Sequence, residues 1–403
     1  MKQVFEGIKV ADFSWSVAGP MVTKCLADHG AFVVRIESIT HPDPIRTAQP
    51  YKDNIPGVNR AGFYDAYNNN KYGITLNLNR PEGLEVAKRI VAWADIVVES
   101  YVPGTMEKWG LSYDDLCKIN PGIIMLSTCN QGQTGPHARQ RGFGYHLTSL
   151  AGFVHLTGWP DRGPSMISVA YTDVVSQYFA VTVLVAALDY RRRTGKGQYI
   201  DISQYEASLQ FLAPILLDFI ANNHVAGRTG NRCEYTAPHG VYPCKGKDRW
   251  CAISVFGDKQ WKGFCQAIGN PEWSRNNKFS TLLARKENED ELDNLIAGWT
   301  KNFSAEEVME MMQANGVPSG VVSNCQDVYH HRQPQYRQHF VQLEHPEIGR
   351  HYYEGHPFVL SGTPAEIKMP SPCLGEHNEY FYTQILGMGD EEFTGLLAEG
   401  VFD

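Results

Sequence analysis

Residues 7–37 read GIKVADFSWSVAGPMVTKCLADHGAFVVRIE. Gly7 opens the mainly apolar run Ile8–Phe13, whose length and composition predict a short buried strand. Residues 18–29 follow as a helix, with Gly30 as its left-handed C-cap. AFVVRI, residues 31–36, is a second strand. Strand, helix and strand within some 30 residues make one β-α-β unit.

The rhythm continues outward. Residues 74–78 read as a strand. Pro81 starts a helix where its missing N–H costs nothing, and that helix runs to about Trp93. DIVVE (95–99) and GIIMLS (122–127) are further strands. Residues 174–193 form a long helix, with Asp173 before it and Arg191, Arg192 and Arg193 closing it, the order a helix dipole favours. Residues 199–202 are a strand and 204–220 an apolar helix. The class is therefore α/β, with a mainly parallel, doubly wound sheet. No GxGxxG follows the first strand, so no nicotinamide or flavin is expected.

The pattern changes beyond residue 221. Residues 222–236 are polar and read as a linker. Strand pairs (240–244, 250–255) and amphipathic helices (259–268, 288–299, 305–315) then describe a smaller α+β domain over 237–315. Residues 316–403 return as strand-like pieces and rejoin the large domain, whose first part is 1–221.

Composition narrows the partners. The 403 residues carry 36 Lys and Arg against 44 Asp and Glu, a formal charge of −8. That acidic balance argues against nucleic acid and anionic membranes. The apolar run 178–188 is too short to span a bilayer. The N-terminus, MKQVFEGIKV, breaks the apolar core an export signal needs. Nine scattered cysteines without CxxC point to free thiols in a reducing cytoplasm. His330, His331, His339, His345, His351 and His356 match no metal spacing and read as surface or loop residues; no metal is expected.

Read together, six segments carry a resemblance: 7–37 above, NNNKYGITLNL (68–78) followed by RPEG (80–83), ESYVPGTMEKWGL (99–111), RRRTGKGQYIDISQYEASL (191–209), GVPSGVV (316–322) and PSPCLGEHNE (370–379). In this order they resemble the class III CoA-transferase family, the CaiB/BaiF or formyl-CoA transferase type, over about residues 7–390. The resemblance implies a Rossmann-like large domain, a smaller domain and an interlocked dimer, or a heteromer with a related chain. It implies coenzyme A or acyl-CoA as substrate and a carboxylic acid as acceptor.

It also implies a nucleophile, Asp173, working by a ping-pong mechanism through an aspartyl anhydride and an aspartyl-CoA thioester. Taken alone, an Asp before a long apolar helix is an N-cap. The two readings share physics, because the helix end favours the ionised carboxylate that attack requires. For CoA the resemblance implies the backbone of Ser16, Val17 and Ala18 at the thiol end, Ser100 and Tyr101 at the nucleotide, and Lys108 at a phosphate. Leu76, Asn79, Arg80, Arg46 and Arg141 occupy its further CoA positions. Trp15, Tyr145 and His146, with Trp159, suggest an aromatic-lined acyl site, and His239 a substrate contact.

Two positions depart from the family pattern. Gly144 stands where many members have an acidic auxiliary residue, and the covering glycine-rich loop is not recognisable. A racemase or epimerase of the same superfamily is the rival reading. It needs a histidine near Phe143, and phenylalanine transfers no proton. A CoA-binding subunit of a hetero-oligomeric transferase is the third. An aryl- or alkylsuccinate acceptor with succinyl-CoA as donor is the substrate expectation.

Overall fold

The computed structural model describes residues 3–403. The chain divides into two compact units. One comprises Val154–Met166 and Val225–Gln333, and the other the remaining described residues. Segment 154–166, which the sequence pattern assigns to the large domain, and segment 316–333, which it assigns to the return segment, both belong to the second unit.

The larger unit is built on six parallel strands: β1 (Lys9–Asp12), β2 (Phe32–Glu37), β3 (Tyr72–Thr75), β4 (Ile96–Glu99), β5 (Ile124–Cys129) and β6 (Gln198–Ser203). Their order is β3-β2-β1-β4-β5-β6. Strand side chains alternate between faces, and both faces are apolar. Val10, Val33, Ile96, Val98, Ile124 and Leu126 pack on one side against α1 (Ala18–Asp28) and the long helix Tyr171–Thr194. Ala11, Val34, Val97 and Met125 pack on the other against α2 (Pro81–Trp93) and the C-terminal Phe381, Tyr382 and Phe402. Coverage on both sides explains why these strands read as continuous apolar runs.

A short helix, α3 (Gly144–Leu150), precedes the long one, α4 (Tyr171–Thr194). The sequence pattern predicts α4 from 174 with Asp173 as its cap. The helix instead starts at Tyr171 with Ala170 at the N-cap. Asp173 is thus the third residue of the first turn. Among the described residues α4 is also the one helix long and apolar enough to cross a membrane. The 178–188 run understated it, because uncharged polar residues such as Gln177 do not end the apolar stretch. Here its Ala180, Leu184 and Ala187 are core residues beside the sheet.

The expected helix 204–220 is broken. α5 (Gln204–Leu209) gives way to a single tight turn, and α6 (Ala213–Asn222) restarts with Pro214 at its beginning. Proline lacks the N–H that a continuous helix would use there.

The second unit holds an antiparallel sheet, β7 (His239–Pro243), β8 (Trp250–Ser254) and β9 (Ser319–Val321). It packs with α7 (Asp258–Ala267), α8 (Glu289–Thr300) and α9 (Ala305–Ala314) around Ile253, Phe264, Leu292, Ile296 and Val308. The larger unit also carries a hairpin, β10 (Phe340–His345) and β11 (Gly349–Glu354). The histidines around it are not all at the surface. His345 is buried, His351 Nε2 lies 2.8 Å from Asp65, and His356 Nε2 lies 2.9 Å from Asp28.

Candidate functional site

Strand order reverses between β1 and β4, and the chains leaving their carboxyl ends diverge. Parallel α/β sheets hold ligands in such crevices. Trp15, Ser16, Val17 and Ala18 leave β1 as one wall, and Ser100, Tyr101, Val102 and Pro103 leave β4 as another. Between them and loop 138–144 lies a cavity of about 640 Å³, which Asp173 and Gln204 also line.

The β1 wall is fixed by polar contacts. Ser100 Oγ accepts from Trp15 N at 2.7 Å, joining the two walls. Ser16 adopts φ of 61°, and its N–H donates to both Asp43 oxygens at 3.0 and 3.2 Å. Asp43 is held in turn by Arg35 at 2.5 Å. This turn delivers the chain into α1, whose N-terminus carries no side-chain cap. First-turn N–H groups have no intrahelical partner, so that of Ala18 remains available at the cavity wall.

Asp173 is half-buried and lines the cavity. Burial pushes its carboxyl up to about 6, while a hydrogen bond from Thr172 works in the opposite direction. At neutral pH the group stays mostly ionised. Gly144 packs directly on it: a Cβ there would lie 2.5 Å from Asp173 Oδ2 and 2.6 Å from Ala170 Cβ. The missing acidic residue at 144 therefore has a steric reason, because no side chain fits while Asp173 holds this position.

A second cleft of about 350 Å³ adjoins the first. Trp15 and Tyr101 line both, with Ile36, Ser38, His41, Leu76, Asn79, Thr105 and Trp109 lining the second. Their rings meet edge to face at 5.9 Å.

The sequence-selected residues separate into groups. Trp15, Ser16, Val17, Ala18, Ser100, Tyr101, Arg141 and Asp173 converge on the first cavity; Leu76 and Asn79 line the second. Arg80 and Lys108 are exposed and line neither of the two clefts. Arg46 is a correction. It is fully buried, and its donors are spent on Glu37, Val58 O, Asn59 and Pro372 O, with Tyr64 against its face at 3.5 Å. It braces the fold and has no donor left for phosphate.

Tyr145 and His146 are exposed and absent from the lining of the cavity. Tyr145 reaches Ser168 O at 3.3 Å, and His146 Nδ1 accepts from Phe143 N at 3.2 Å. The exposed ring of Phe143 lines the cavity instead. In the second unit, His239 Nδ1 faces Asn231 O at 2.5 Å, and Trp159 packs beside Gly230. Sequence reasoning missed Arg139, Gln140, Asn130 and Gln204. The basic run HARQRG at 137–142 was a signal for Arg139. Gln204 Oε1 is buried without a hydrogen-bond partner among the described residues, and nothing in the sequence marked it.

Comparison with known proteins gives a consistent picture. The sequence profile of CoA-transferase family III matches residues 5–378. Succinyl-CoA–D-citramalate CoA-transferase of Chloroflexus aurantiacus is 33% identical over 98% of this chain and 97% of its own. Human succinyl-CoA:glutarate CoA-transferase is 29% identical over 99% and 90%. A CaiB/BaiF family protein from Brucella suis superposes with a TM-score of 0.86 at 29% identity, covering 96% of this chain and all of that one.

Proposed function

The chain belongs to CoA-transferase family III, an enzyme class acting on CoA thioesters, and we propose that it passes CoA from succinyl-CoA to a carboxylic acid with Asp173 as nucleophile. The observation that carries this reading is an ionisable, half-buried carboxylate in a cavity walled by an uncapped helix N-terminus and adjoining a second cleft. A thioester at Asp173 can thread its pantetheine arm past Trp15 and Tyr101 toward Leu76, Asn79 and Trp109.

The chemistry follows from charge. An Asp173 oxygen attacks the thioester carbonyl, the C–S bond breaks, and CoA leaves as thiolate beside a mixed anhydride. The thiolate attacks the aspartyl carbonyl, the donor acid departs as carboxylate, and Asp173 is left as a CoA thioester. The acceptor carboxylate attacks that thioester and expels the thiolate, which takes the acceptor acyl group from the new anhydride. Asp173 is regenerated, and the protons balance throughout. Each attack places negative charge on a carbonyl oxygen, to which the free N–H of Ala18 at the cavity wall can donate a hydrogen bond.

Arg139 and Arg141 line the same cavity. Guanidinium pairs carboxylates with directional hydrogen bonds, so they suit the distal carboxylate of a dicarboxylic acid. Relatives named for succinyl-CoA, citramalate and glutarate support that substrate class, and a bulkier alkylsuccinate would use the same contact. Against a racemase, no histidine lines the cavity with Asp173, and His146 is committed to its helix N-terminus. The same reading includes an interlocked dimer, or a pairing with a related chain, in the cytoplasm.

Hydroxylamine tests the nucleophile. With succinyl-CoA present it should convert Asp173, and no other carboxylate, to a hydroxamate visible by peptide mass. Full turnover by Asp173→Ala would end this reading.

A further inference from the structure

Far along α1 from the cavity, three metal-binding side chains meet. Cys25 and His29 are one helical turn apart, and so share a face. His356 comes from beyond β11, more than 300 residues later. One donor atom from each of the three lies within 4.8 Å of the others. The sequence could not show this, since the cysteine and one histidine lie so far from the histidine-rich segment.

The surroundings hold both rings as ligands. His29 Nδ1 faces Cys25 O at 2.8 Å, so it carries the proton and Nε2 keeps a free lone pair. His29 is buried, and Nε2 has no hydrogen-bond partner among the described residues. An unpaired polar atom in a buried ring is costly. His356 Nε2 faces Asp28 Oδ2 at 2.9 Å, which places its proton there and frees Nδ1. A backbone carbonyl on one histidine and a carboxylate on the other are the partners that orient metal-bound imidazoles. Phe358 stacks on His29 with centroids 5.4 Å apart, closing one side. Lys24 sits beside the cluster, but its ammonium is taken by Asp28 at 2.6 Å and by Glu354 O at 3.1 Å.

We propose that Cys25, His29 and His356 bind one zinc-like divalent cation. Two imidazoles and a thiolate suit a borderline-soft ion, with a fourth tetrahedral position left to water. Zinc ligands of this kind stand roughly 3.4–3.6 Å apart, within a rotamer adjustment of the observed cluster. On binding, the Cys25 S–H bond breaks, an S–metal bond forms, and the proton passes to solvent. The metal ties the end of α1 to the segment after β11. The site is independent of the transferase reading.

The test uses full-length protein stripped with chelator and reloaded with zinc or cobalt. After gel filtration, metal analysis should find about one zinc per chain, and zinc should raise the melting temperature by a few degrees. Cobalt should give a thiolate charge-transfer band. Cys25→Ser should abolish that band, and the milder His356→Gln should weaken affinity by about 100-fold. Sub-stoichiometric metal in the wild type, or unchanged uptake in both variants, would overturn the site.

Discussion

Asp173 has burial working against its charge and a helix end working for it. Because its carboxyl is raised to about 6, kcat/KM should climb as pH rises through about 6 and level off above it, falling about tenfold per unit well below. A pH–rate profile flat from 5 to 8 would contradict this. Linkage has the opposite sign for stability. The folded state holds the proton more tightly than the unfolded chain, so this group's contribution is fully present below about 4 and is lost as pH rises through about 6. Asp173→Asn should therefore lose transferase activity yet gain about 1–3 kcal/mol at pH 7, seen by urea denaturation of both proteins. Gly144→Ala makes the complementary case. Its Cβ would meet both Asp173 and Ala170, displacing the carboxylate. Since small misplacements of a reacting group are severe, kcat should fall about 100-fold while the overall fold, by circular dichroism, is retained. Both residues stood out in the sequence only through the family resemblance, Asp173 as the position it marks and Gly144 as a departure from its pattern, since the place of Asp173 before a helix by itself reads as a cap. Their contact was not legible, because a glycine tolerated for close approach looks the same as any other glycine until the backbone is folded.

At the scale of elements, apolar runs and proline were the readable signals. The helix from Pro81 to Trp93 ends where the sequence placed it, because both limits are set locally. α3 left no signal, since its N-cap is Phe143, which has no capping oxygen. The start of α4 was displaced for a similar reason: Ala170 gives no mark, and Asp173, a strong cap-forming residue at the head of the apolar run, drew the boundary toward itself. Arg46 shows the limit for site residues. A basic side chain in a loop looks solvent-facing, and only the fold reveals that Glu37 and Tyr64 enclose it. The turn between β1 and α1 offers a test of how an element positions the site. Asp43 accepts the Ser16 N–H and pairs with the fully buried Arg35. Asp43→Ala should cost about 3–5 kcal/mol by leaving Arg35 short of a partner. It should also raise KM for acyl-CoA as Ser16 loses its left-handed hold. Asp43→Asn, which keeps an acceptor for Ser16, should recover most of the KM effect; equal KM in both variants would separate the turn from CoA binding.

At the scale of the whole molecule, the order of elements was readable and the boundary between the units was less so, since segments 154–166 and 316–333 carry no composition change to announce which unit they join. Surface apolarity supplies the remaining argument. α6 has no buried residue, yet it presents Leu217 at 62% and Ile220 at 76% exposure, with Phe219 and Leu216 beside them. α4 adds Tyr178, Phe179 and Val185. A helix that is apolar on its outer face requires a cover, and a second chain of the same or a related kind fits the dimer proposed above. Sedimentation at micromolar concentration should then give twice the 45.2 kDa of one chain. Leu217→Lys combined with Ile220→Lys places two charges in that contact, which costs several kcal/mol when desolvated. The double variant should run at 45.2 kDa or fail to accumulate as soluble protein. A wild-type chain that sediments as a stable monomer, or a double variant that still pairs, would show that these helices face water by design and that the second copy is not what covers them.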